Sequence, residues 1–71
     1  MKTNIKNKYY DDGIFINLDE YYTSSENLLL NHQKYLNKDS KYYIYCLKGI
    51  KSKKVTRVLE AYGYDVTLVL N

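Results

Sequence analysis

The run Tyr43-Ile44-Tyr45-Cys46-Leu47-Lys48-Gly49-Ile50-Lys51-Ser52-Lys53-Lys54 constrains this chain more than any other stretch. An aromatic and β-branched segment of strand type ends in the only cysteine. A short lysine-rich loop containing glycine follows, and a helical pattern then opens on Ser52. This order predicts a thiol at the C-terminal end of a parallel strand, facing the start of a helix. Open α/β sheets place their ligand sites at such positions. Backbone N–H groups of the loop and of the first helical turn converge there and favour an anion.

The remaining sequence extends that unit to a small α/β domain. With 71 residues there is room for one core only, and the single cysteine leaves no disulfide to support it. A hydrophobic content of 45% against 27% charged residues is that of a globular chain rather than a disordered one. Met1 to Lys8 shows no apolar period, and residues 1–11 are expected to form a flexible arm. Asp11-Asp12-Gly13 signals a turn into a strand, Ile14 to Leu18. Ser24 and Ser25 are candidate caps for a helix over Glu26 to Leu36, with Leu29 and Leu36 a heptad apart and Leu28 and Tyr35 beside them. Tyr42 to Cys46 reads as a buried strand.

Beyond the cysteine, Ser52 is suited to cap a helix whose apolar face is Val55, Val58, Leu59 and Tyr62. Gly63 supplies its stop. Val66 to Leu70 forms a last strand. Strands alternating with helices imply βαβ units and a parallel sheet. The domain thus divides into strand-helix-strand over 12–45, and loop, helix and last strand over 46–71.

Composition narrows the partners. The net charge of +3 is small but uneven, since Lys48, Lys51, Lys53, Lys54 and Arg57 crowd behind the cysteine. That cluster suits a small anion or an acidic partner, or is an ordinary solvated face. Ten tyrosines include the pairs Tyr9-Tyr10, Tyr21-Tyr22 and Tyr42-Tyr43, which could stack on nucleic acid. Packing of the rings, with hydroxyls turned to water, is the commoner use of tyrosines near strands, and no nucleic acid is expected as a partner. No segment reads as a signal peptide or membrane span. An unpaired thiol without an export signal points to the reducing cytoplasm.

Cys46 is the candidate nucleophile. Loop N–H groups, the partial positive charge of the helix start, and Lys48 and Lys51 would each favour its thiolate. A persulfide, thiosulfate, phosphate or arsenate would suit the same cradle. The opposing reading is a buried, inert strand cysteine. His32 lacks a dyad partner and reads as a surface residue. One Cys and one His are too few ligands for a metal, and no cofactor is expected.

Tyr42 to Cys46, then Gly49-Ile50-Lys51-Ser52-Lys53-Lys54, then Leu59-Glu60-Ala61-Tyr62-Gly63-Tyr64-Asp65-Val66, resembles the C-terminal half of a rhodanese-like domain. The family pattern is a strand ending in a catalytic cysteine, a six-residue loop, a helix, and a Gly-Tyr-(Asp/Asn)-Val turn into the final strand. Its frequent loop, Cys-x-x-Gly-x-Arg then Ser, is matched by Cys46, Gly49, Lys51 and Ser52. Asp12 to Glu20 is similar to the family's upstream strand and acidic helix start. The resemblance implies sulfur transfer: Cys46 would take the outer sulfur of thiosulfate or a thiol persulfide, and pass it to cyanide or a thiol. Backbone N–H groups of Leu47, Lys48, Gly49, Ile50, Lys51 and Ser52 would bind the substrate.

The departures are equally specific. The family's Asp-Val-Arg strand, usually placed between the strands kept here, is absent, as is the Glu-(x)n-His-Ile-Pro-Gly segment after it. Lys51 stands where arginine is usual and lacks the planar fork that grips a sulfonate. The implied fold is a shortened, N-terminally truncated rhodanese-like domain with a parallel three-stranded sheet and flanking helices. Three remedies for the lost strand are open: the N-terminal arm fills the place, two chains pair as a homodimer, or the remaining strands close ranks. Weak sulfurtransferase activity is one expectation. A catalytically degenerate remnant acting as a protein-binding or structural module is the alternative. Related folds bind phosphate through Cys-x5-Arg, but Ser52 stands at that arginine position, which sets a phosphatase aside.

Overall fold

The computed structural model of the chain describes residues 2–5, 12–20 and 23–70. Tyr9, Tyr10, Asp11, Tyr21 and Tyr22 lie outside the described residues. Strands β1 (Lys2–Ile5), β2 (Ile14–Asn17), β3 (Lys41–Tyr45) and β4 (Asp65–Leu70) form one parallel sheet in the order β1-β4-β3-β2. Helices α1 (Ser25–Leu30) and α2 (His32–Tyr35) connect β2 to β3, and α3 (Ile50–Ala61) connects β3 to β4. α1 packs on α3, so both connections lie in one layer over the sheet. The α/β class, the parallel sheet and the three expected strands are all present. None of the helices among the described residues is long and apolar enough to cross a membrane.

Of the three remedies for a lost strand, one operates within this chain and one does not. β2, β3 and β4 are hydrogen-bonded neighbours, with Ile16 opposite Ile44 and Ile44 opposite Leu68, so they close ranks with no interior gap. Part of the expected N-terminal arm is strand β1, and it pairs outside β4 rather than between the inner strands. The sheet therefore has four strands among the described residues. β3 and β4 are interior, and their consecutive buried residues (Tyr42, Tyr43, Ile44; Val66, Thr67, Leu68, Val69) bury side chains on both faces of the sheet.

Ile16, Leu18, Tyr42, Ile44, Cys46 and Val66 form the core with Leu28 and Leu36, with Val55 and Leu59 of α3, and with Tyr64. Each such aliphatic side chain contributes about 1.5–3 kcal/mol by leaving water. The buried tyrosines keep their hydroxyls bonded to protein, not turned to water as expected. Tyr42 accepts the Asn37 N–H at 2.8 Å, and Tyr43 donates to Asp12 at 2.6 Å. On the face of the sheet away from Tyr42, the Phe15 ring stacks on Tyr43 with centroids 5.1 Å apart.

The helices depart from expectation in three ways. The segment 26–36 is two helices, because Asn31 leaves the helical region (φ −120°, ψ 30°) and its side chain bonds the Asn27 carbonyl at 3.1 Å. Helix α3 starts at Ile50, not on Ser52, because Gly49 adopts φ 77° and turns the chain directly into the helix. Its buried face is Ser52, Val55, Thr56 and Leu59, with Tyr62 exposed and Val58 only half-buried. That face is rotated toward the thiol. The end of α3 agrees with the sequence: Gly63 (φ 95°) donates to the Glu60 carbonyl at 3.0 Å and Tyr64 to the Leu59 carbonyl at 3.1 Å, a complete Schellman motif.

Candidate functional site

Cys46 follows the last residue of β3, an interior strand, at the end of the sheet from which the chain enters α3. Gly49 is the N-cap of α3 and has no side chain to accept the free N–H groups of the first turn. The cysteine sulfur takes that role. Sγ accepts the Gly49 N–H at 3.2 Å and the Ser52 N–H at 3.4 Å. The thiol donates to Ser52 Oγ at 3.4 Å, and Ser52 Oγ donates in turn to the Gly49 carbonyl at 3.3 Å. Ser52 is therefore inside the first turn rather than at its cap, and it holds the sulfur with both backbone and side chain.

This environment favours the thiolate. Burial pushes the Cys46 thiol up, as Cys46 is only 3% exposed. The Ser52 hydroxyl, which donates to the sulfur once the thiol is ionised, and the backbone N–H groups of Ser52, Gly49 and Lys51 outweigh that burial and bring the thiol below its ordinary value. The sequence-based cradle is thus realised in part. Gly49 and Ser52 aim at the sulfur, whereas the Leu47 N–H donates to Asp19 Oδ2 at 2.7 Å. Lys48 and Ile50 line the pocket beside the thiol, and Lys51 lies there with its Nζ 3.6 Å from Asp19 Oδ1. Lys53, Lys54 and Arg57 lie along exposed α3 outside this pocket.

Asp19 is the residue that sequence reasoning missed as a member of the site. It joins Cys46, Leu47, Lys48, Ile50 and Lys51 around a cavity of about 300 Å³. Its place follows from register. Asn17 pairs with Tyr45, and the Leu18 N–H donates to the Tyr45 carbonyl at 2.9 Å, so the residue after Leu18 arrives opposite the loop after Cys46. The turn beyond β2 is fixed by Asn17, whose side chain accepts the Asp19 N–H at 3.0 Å and whose carbonyl accepts the Thr23 hydroxyl. The signal was the acidic residue two positions past the end of a strand adjacent to the cysteine strand.

His32 is not a plain surface residue. Its Nδ1 is 2.7 Å from the Tyr64 hydroxyl, and its ring stacks on Tyr62 with centroids 4.7 Å apart. This cluster lies on a pocket that does not include Cys46.

Compared with protein-family models, curated proteins and solved structures, the chain shows no significant match to any of them. The geometry around Cys46 is what supports a function.

Proposed function

We propose that this chain is a sulfurtransferase-like protein that carries a transferable sulfur as a persulfide on Cys46. The observation that carries this reading is the sulfur held at the start of α3 by the N–H groups of Gly49 and Ser52. The Cys46 thiolate attacks the outer sulfur of a thiol persulfide or of thiosulfate. The S–S bond of the donor breaks, and its electron pair leaves with the thiolate or sulfite. One sulfur atom moves at the zero oxidation level, so no outside oxidant or reductant enters. The same loop N–H groups then face the persulfide, which a thiol or cyanide acceptor removes by the reverse type of attack. A thiol maintained for this chemistry works in a reducing compartment such as the cytoplasm. The rhodanese-like resemblance agrees with this chemistry, and Lys51 in place of arginine agrees with weak turnover.

The experiment is intact-mass measurement of the purified protein after treatment with thiosulfate or a small alkyl persulfide. A gain of one sulfur, removed by cyanide or thiol and absent from Cys46→Ser, supports the reading. The absence of any adduct, with slow alkylation of Cys46 near neutral pH, rejects it.

A second reading is a catalytically degenerate, partner-binding remnant, favoured by one observation. β2 is an edge strand, and its Ile14 and Phe15 side chains are exposed large hydrophobics. Strand addition there by a second copy would cover both. Sedimentation analysis with Phe15→Lys distinguishes it: a dimer of the wild-type chain that the substitution dissociates supports this reading.

A further inference from the structure

The cradle beside Cys46 already holds an anion of its own. Asp19 takes the Leu47 N–H at 2.7 Å and lies 3.6 Å from the Lys51 ammonium, the loop donors a sulfonate would need. The Gly49 and Ser52 N–H groups are directed at the sulfur. A dianionic donor would therefore enter a pocket of about 300 Å³ that has a carboxylate in its wall. It would have to displace that carboxylate or sit against it. The rim carries two exposed apolar side chains beside Lys48: Leu47 is 73% and Ile50 74% exposed. Such a mouth suits the alkyl part of a donor and disfavours a compact, strongly hydrated dianion.

We infer that Asp19 is a specificity-determining residue that makes the Cys46 pocket take sulfur from an alkyl persulfide, reacting in its protonated form R–S–SH, in preference to the dianion thiosulfate. This rests on the proposed sulfur transfer for its substrate class, but the charge filter itself is a property of the pocket. In the favoured step, the Cys46 thiolate bonds to the outer sulfur of R–S–SH. The donor's S–S bond breaks, its electron pair leaves with the thiolate R–S⁻, and Cys46 is left as the hydropersulfide with the proton the donor's outer sulfur carried. Charge and sulfur count balance.

The first measurement is the ratio of alkylation rates at Cys46 for neutral iodoacetamide and anionic iodoacetate. Both reagents consume the same thiolate, so any change in thiol ionisation cancels in the ratio. Removing one unit charge from the wall of this solvent-exposed mouth is expected to shift the ratio toward iodoacetate about three- to eight-fold in Asp19→Asn. The amide oxygen can still accept the Leu47 N–H. Asp19→Glu keeps the charge and should stay near the wild-type ratio, which separates charge from a change in packing. Circular dichroism identifies folded variants, and an unchanged ratio in folded Asp19→Asn overturns the inference.

The second measurement is sulfur loading by mass from equal concentrations of thiosulfate and a small alkyl persulfide. The wild-type chain should load faster from the persulfide, and Asp19→Asn should gain most with thiosulfate. Faster wild-type loading from thiosulfate overturns the inference. If neither donor loads any form while the alkylation ratio shifts as expected, the charge filter stands and sulfur transfer is the reading that fails.

Discussion

The sulfur of Cys46 and the backbone nitrogen of Ser52 lie 3.4 Å apart, which makes the candidate nucleophile also the acceptor for the first turn of α3. Chemistry and folding are therefore joined at one atom. Cys46→Ala should lose the acceptor for two buried or half-buried N–H groups and cost about 1–2 kcal/mol in chemical denaturation, the size of a lost helix cap. Cys46→Ser should recover much of this, since an oxygen also accepts. Equal stability of all three forms would show that the sulfur does not cap the helix.

The thiol's folded value lies below its ordinary 9.0, because the hydrogen bonds to sulfur outweigh burial. The pH midpoint for alkylation by iodoacetamide should accordingly fall below that of a free thiol. Ser52→Ala removes the largest of the lowering contributions and should raise the midpoint. The linked effect on stability has a definite sign. Ionisation favours the folded chain, so this contribution is complete above the unfolded thiol's value and disappears as pH falls through the folded one. Denaturation of the wild-type chain and Cys46→Ser across that window checks it: the stability difference should change in favour of the wild type as pH rises.

Two glycines should fail for different reasons. A Cβ on Gly49 would meet nothing within 4 Å, so Gly49→Ala is strained only by φ 77° and should cost about 1–2 kcal/mol. At Gly13 a Cβ would lie 2.7 Å from Tyr43 Cε2 and 2.8 Å from the Lys41 carbonyl oxygen. That carbonyl belongs to β3 and cannot swing aside. Gly13→Ala should cost about 1–3 kcal/mol by forcing β2 away from β3. Only the first substitution should also change Cys46 reactivity, which alkylation kinetics on both variants will test.

Thr56 is fully buried on α3, and its Oγ1 has no hydrogen-bond partner among the described residues. A desolvated hydroxyl without a partner is unfavourable, and valine has the same shape. Thr56→Val should stabilise the chain by about 1 kcal/mol in urea or thermal unfolding. A destabilised variant would mean that the hydroxyl is bonded in solution.

How far the sequence could be read depended on whether an element was specified locally. β3, the loop and the end of α3 were legible, because Tyr42 to Cys46, Gly49 and Gly63 carry local signals for a buried strand and two left-handed positions. The start of α3 was misplaced, because Ser52 has the composition of a cap while the actual cap is a glycine whose missing side chain is replaced by a sulfur three residues earlier. Asn31 broke the first helix through a side-chain contact that apolar spacing does not reveal. β1 exists as a strand through pairing with β4, and Lys2-Thr3-Asn4-Ile5 has little apolar pattern of its own. Asp19 became visible only once the β2–β3 register was known. The resemblance that suggested sulfur chemistry was carried by local residues, and register added the charge beside them.

The strand order has a consequence for how the chain is made. β4 leaves the ribosome after the other three strands, yet it is the strand that joins β1 to β3. Until it emerges, β1 has no neighbour, and the edge of β3 that β4 will cover is open to water and to other nascent chains. Folding must then wait for a contact that spans most of the sequence, from Lys2 to Thr67. The interval before that contact is when the thiol, not yet cradled, is most open to oxidation and the β-rich segments to aggregation.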